Sequence, residues 1–195
     1  MKSKKILKGS KGYLEYQRKK TLVWTIILFL SSLGIFLLGY FHTGSKENYM
    51  TIIAVLGCLP ACRSVVNTIM LYRYHGIGEE DYQKILPLTT GMMTCCDLVF
   101  TSYDKNFEVH HMTLCGDTLI GYTANSACDA KACEKHLHEL FVKNGLREID
   151  ITIFKELPKY TNRLNGLCGG EAVPANEEQT AKAKSVRSLL CALSL

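Results

Sequence analysis

Proline is scarce in this chain, four in 195 residues, and no stretch is low in complexity. That excludes collagen-like, polyproline and mucin-like classes. Acid is almost missing from the first twenty positions, where Glu15 stands alone against eight Lys/Arg for a net +7. The other 175 residues carry fifteen Lys/Arg against seventeen Asp/Glu, a net −2. No basic surface remains there for nucleic acid, and none is expected as a partner. Charge is absent from Thr21 to Ser45, and from Asn48 to Tyr72 it is confined to Arg63. The chain has no G-x-G-x-x-G or G-x-x-x-x-G-K-[ST] phosphate loop and no G-x-S-x-G elbow, which removes the best-marked nucleotide and hydrolase classes. Its nine cysteines form no tight framework, so a small disulfide-stapled fold is not expected.

What the chain does have is two long apolar runs. Residues 21–41 (TLVWTIILFLSSLGIFLLGYF) hold fifteen apolar residues and no charge. At ~1.5 Å per residue this crosses a hydrocarbon core of about 30 Å. The run is too long for a signal peptide and ends in Tyr40-Phe41-His42 rather than a small-x-small site. The second run, 49–72, is interrupted by Arg63 and Asn67. A central Arg costs about 2.5–3.5 kcal/mol on insertion scales, which the surrounding Ile, Leu, Val and Met offset. Arg63 also sits nine residues, ~13 Å, from Tyr72, so its side chain is expected to snorkel partly toward that end. The connecting loop, 42–48, is short enough to impose an antiparallel hairpin.

Orientation follows the basic flank: Lys2, Lys4, Lys5, Lys8, Lys11, Arg18, Lys19 and Lys20 precede the first span, whereas the loop carries Lys46 with Glu47. The positive-inside rule then places both termini in the cytoplasm of a multi-pass cell-membrane protein, with the bilayer as its first partner. Gly57, Ala61, Ser64 and Thr68 form a small-residue stripe on the second helix. Such a stripe suits packing against the first helix near Ser31, Ser32 and Gly34, or dimerisation.

The organisation read from the chain is a basic tail (1–20), two spans (21–41, 49–72), a cytoplasmic domain (73–168), a GGEAVPA linker (169–175) and a C-terminal amphipathic helix (176–195). Within the domain, the spacing predicts a short helix from Glu79 to Leu86, then strands at 98–103, 107–114 and 118–124. A helix from Asp129 to Asn144, a strand with Ile149, Ile151 and Ile153, and a helix after Pro158 follow. The expected fold is therefore a two-helix transmembrane hairpin plus a small α+β domain of order α-β-β-β-α-β-α. That order resembles the core of the PD-(D/E)xK nucleases in topology only. Glu108 lies on the second strand, but the third, TLIGYTA, has no acid-x-Lys, and Lys131 falls in the next helix. No nuclease residue is carried over.

Residue type alone points to two further chemistries. Cys128, Cys133, His136 and one of His110 or His111 are the residue types that bind zinc. Their spacing matches no zinc-ribbon pattern, and Cys133 also fits a core stripe with Leu137, Leu140 and Phe141. His110 and His111, being adjacent on a strand, should face opposite ways. A Cys115–His111 nucleophile pair has no supporting local motif. No metal, cofactor or catalytic residue is assigned. The expected function is a membrane-anchored interaction or regulatory module that binds a protein partner or a second copy. The alternative is a membrane-anchored metal- or cysteine-dependent hydrolase.

Overall fold

The computed structural model describes residues 6–44, 49–103, 105–168 and 177–195. Lys2, Lys4, Lys5, Lys46, Glu47 and the 169–175 linker lie outside the described residues. Two compact units emerge: 14–75, and a domain built from the N-terminal segment through Tyr13 together with Gly76–Leu195.

The first unit contains α1 (Tyr13–Thr43) and α2 (Tyr49–Tyr72). The first helix begins eight residues before the expected span, because YLEYQRKK has no Gly or Pro to break it. The helices run antiparallel, as their hydrogen bonds show. Arg18 Nε donates to the Leu71 carbonyl at 2.8 Å, Thr25 meets Ser64 and Thr68, and Ser32 donates to the Ala54 carbonyl at 2.6 Å. Most of their Leu, Ile, Val and Phe side chains face outward.

The domain follows the order α3 (Glu79–Ile85), a 3-10 turn (Leu86–Thr89), β1 (Met93–Thr101), β2 (Asn106–Cys115), β3 (Thr118–Tyr122), α4 (Ala130–Lys143), β4 (Asp150–Phe154), α5 (Leu157–Cys168) and α6 (Glu177–Leu193). The four-stranded mixed sheet has the order β1-β2-β3-β4. The first three strands form an antiparallel meander, and β4 returns parallel to β3 after the α4 crossover. Asp129 caps α4 by accepting the Ala132 amide at 3.2 Å.

Two cores result. On one face of the sheet, Leu98, Phe100, Val109, Met112, Leu119 and Ile151 pack with Cys133, Leu137 and Phe141 of α4 and Val186 and Leu190 of α6. On the other, Ile120 and Tyr122 pack with Ile77, Ile85, Tyr160 and Leu164. The last helix is therefore part of the domain core rather than a separate element after a linker. Each sheet edge meets another segment of the domain. The outer edge of β1 is met by the Gly9 carbonyl, which accepts the Cys96 amide, and by the Leu195 amide, which donates to Val99. On β4 the Ile153 amide donates to Glu134 of α4 at 2.6 Å.

Strand alternation breaks once. Cys95 and Leu98, three apart, share a core, as do Val109 and Met112. The ladder passes from the Cys96–His111 pair to Leu98–Val109, with Asp97 and His110 at the interruption. Asp97 has φ 56°, the one positive φ among described non-glycine residues. This local kink corrects the expectation that His110 and His111 face opposite ways. His111 stacks edge-on to Tyr160, His110 lies 6.4 Å from the Tyr122 ring, and the two tyrosines are 5.7 Å apart. Both imidazoles thus serve the same side of the sheet.

Candidate functional site

Asp97 is the charged residue around which the domain is most closely organised. It is 4% exposed and lies in β1. Its Oδ2 accepts the Gly12 amide at 2.7 Å, and its Oδ1 accepts the Ile77 amide at 2.9 Å. Gly12 immediately precedes α1, and Ile77 follows α2 by five residues. One carboxylate therefore holds both the segment that leads into the helical hairpin and the segment that leaves it. Charge-assisted bonds of this kind are stronger than neutral ones. The site also selects its glycine. A Cβ on Gly76 would lie 3.0–3.2 Å from the Asp97 carboxyl atoms.

Other contacts pin the N-terminal segment to the same surface. Lys8 Nζ donates to the Ser194 carbonyl at 2.6 Å. Lys11 pairs with Glu79 and stands 4.1 Å from the centre of the Tyr82 ring. That lysine holds the Glu79 carboxyl below its usual range through a hydrogen bond. Of the predicted orienting residues, then, Lys8 and Lys11 bind within the domain and Arg18 within the hairpin, while Lys19 and Lys20 are exposed.

A second buried polar group joins β2 to α5. His111 Nδ1 is 2.7 Å from Tyr160 Oη, and Thr113 Oγ1 lies 3.3 and 3.2 Å from the same two atoms. Burial lowers the His111 pKa to about 4, so its imidazole is neutral at neutral pH. Nearby, Asn125 Nδ2 donates to Glu108 Oε2 at 2.9 Å, and the Ala124 amide donates to His110 Nδ1 at 3.2 Å. Tyr122 Oη donates to Asp81 at 2.8 Å. These groups satisfy one another, and His111, Thr113 and Tyr160 are sealed from solvent.

The residues considered for metal do not converge. Cys128 and Cys133 sit in the α4-side core, His111 serves the opposite face, and His136 Nε2 is buried without a hydrogen-bond partner beside Phe107. Among the described residues no three His, Cys, Asp or Glu side chains gather at metal-binding range. The thiols are poor nucleophiles, because burial pushes Cys95 and Cys96 up to about 12 and raises Cys128 and Cys133 as well. Cys115 is disulfide-bonded and lies four residues, ~13 Å, along the strand from His111. A cavity of about 370 Å³ between the β2–β3 turn and α6 is lined by Met92, Met93, Leu114, Leu167, Asp117 and Lys182. Lys182 pairs with Asp117 there.

In the hairpin, the small-residue stripe lies against α1. A Cβ on Gly57 would meet Ser32 at 3.5 Å, Ala61 is fully buried, and Ser64 and Thr68 bond to Thr25. Ser31 is exposed, and Gly34 has open space around it. Arg63 and Asn67 are exposed on α2.

The role of Asp97 was not legible in the sequence. By spacing it reads as a solvated acid just ahead of a strand at 98–103; the structure corrects this, because β1 runs Met93–Thr101 and buries Asp97. No family model, curated protein or solved structure matches this chain.

Proposed function

We propose that the chain is a two-span integral membrane protein with both termini in the cytoplasm, and that its α+β domain acts as an interaction or regulatory module. The observation that carries the reading is the double hold of Asp97 on Gly12 and Ile77. A passive tether needs one flexible linker. Here both segments adjoining the hairpin are built into the sheet, so a rearrangement of either one is felt by the domain. The membrane part is supported by two helices long and apolar enough to span, with only 17% of each apolar window buried. A soluble core helix of that composition would be mostly buried. The basic flank supports the cytoplasmic side.

The disulfide at Cys115 favours the opposite side, since such bonds persist in oxidising compartments. Seven described cysteines are free, which favours the reducing side. The hydrolase alternative draws its support from residue types alone, and protonated buried thiols weigh against it.

Tyr103 is fully exposed, so a Tyr103→Cys variant tests sidedness in intact cells. Labelling by an impermeant maleimide only after permeabilisation is expected, and rapid labelling without it overturns the cytoplasmic placement. Purification from native membranes should yield a stoichiometric companion protein or a second copy held through the domain. A stable monomer with no companion overturns the module reading.

A further inference from the structure

We infer that the outer face of α2 docks a transmembrane helix of another protein that carries a carboxylate at mid-membrane depth, with Arg63 as its anchor. The inference rests on the membrane reading above.

At about 100° per residue, Arg63 falls nearly opposite the line of Ala54, Ala61 and Thr68 that α2 buries. On the α1-facing side the hydroxyls are paired: Ser64 and Thr68 with Thr25, and Ser32 with the Ala54 carbonyl. Arg63 and Asn67, one turn apart on the other side, are exposed and have no partner among the described residues. Leu59 and Val66 flank Arg63 with exposed apolar surface.

Depth argues against lipid phosphate as the counterion. Arg63 is the fifteenth of 24 residues in α2, so its Cα lies about 4 Å from the helix midpoint. The headgroups begin about 15 Å from the bilayer centre. The nearer helix end is at Tyr72, but helical Cα–Cβ bonds lean toward the N-terminus, away from that end. Snorkelling along the short path works against that lean.

Charge argues against a second copy. A two-fold contact through this face brings Arg63 against its own equivalent. The apolar stretches of the two helices contain no Asp or Glu to neutralise the pair. What fits is a carboxylate, which takes two parallel bonds from a guanidinium and a third from the Asn67 amide. Intramembrane charges characteristically face a protein partner of opposite sign.

The test uses the full chain reconstituted in phosphatidylcholine vesicles with a labelled poly-leucine transmembrane peptide bearing one central Asp. Energy transfer from an acceptor-labelled chain reports association. The Asp peptide should bind at least about tenfold more tightly than the all-leucine peptide. Arg63→Leu should abolish that difference, and Arg63→Asp should transfer the preference to a peptide with a central Lys. Equal binding of the Asp and all-leucine peptides, or an unchanged preference in Arg63→Leu, overturns the inference. Arg63-dependent self-association of the chain without peptide also overturns it, in favour of a second copy. Carbonate extraction of the same vesicles separates the two levels. A chain that resists extraction yet ignores the Asp peptide defeats the docking surface alone, whereas a chain released by carbonate defeats the membrane reading and the docking surface with it.

Discussion

In the domain, Asp97, His111, Thr113 and Tyr160 are withdrawn from solvent and bonded to protein groups, with Leu, Ile and Phe packed around them. In the hairpin, the polar residues Thr25, Ser32 and Thr68 are buried with the small Ala54 and Ala61, while Leu30, Leu38, Phe41, Ile52 and Leu59 face outward. The two units thus sort polar and apolar groups differently for one reason. Water must be kept from the domain's apolar groups; in the proposed membrane placement, lipid welcomes those of the hairpin and only its polar groups need a protein partner. The same hydrogen bond should therefore carry a different weight in each unit. In the domain its loss strands a buried group. In lipid the separated helices find substitute partners.

The largest effect is expected at Asp97. Replacement by Ala leaves the buried Ile77 amide and the part-buried Gly12 amide without their acceptor, at about 1–3 kcal/mol each. Denaturant unfolding of the full chain should show a loss of about 3–5 kcal/mol, and hydrogen exchange should speed at Gly12 and Ile77. Unchanged exchange at both amides would show that the carboxylate does not hold them.

A pH effect should follow from His111. Its folded pKa, about 4, lies below the unfolded value of about 6.5, so the unfolded chain binds the proton first. Stability is then level above about pH 6.5 and falls as pH drops toward 4, by on the order of 3 kcal/mol. His111→Gln should flatten that decline in a pH series of unfolding curves. A decline of the same size in the variant would assign it to other groups.

The direct comparison pairs Tyr160→Phe with Thr25→Val. The first leaves His111 Nδ1 and Thr113 without the phenol and should cost about 1–2 kcal/mol in domain unfolding. The second removes an interhelical hydroxyl between α1 and α2 and should cost only ~0.6 kcal/mol in a helix-association assay in lipid. Equal losses would erase the distinction between the units.

Much of the fold could be read from local pattern. Period-2 alternation marks Ile149, Ile151 and Ile153, and helical spacing marks Cys133, Leu137 and Phe141. Asp129 and Gly145 bracket α4 as start and stop residues do. The first strand was harder. It begins at Met93 rather than Leu98, since CCD lacks alternation and its edge is completed by Gly9, which bonds to Cys96 from 87 residues away. The kink at Asp97 was equally hidden, because a positive φ in an Asp leaves no mark on spacing. It moved His110 and His111 to one side of the sheet and so undid the simple face rule.

The amino-acid sequence by itself determined the two apolar helices, the basic approach to them and the α-β-β-β-α-β-α order. These depend on composition and on neighbours within about one turn or one strand. Tertiary structure alone decided that residues 6–13 belong to the domain, that α6 completes its core, and that Asp97 joins Gly12 to Ile77. Those are contacts between residues 20 to 186 positions apart, where the partner of a hydrogen bond is set by the packing of the whole sheet rather than by any local signal.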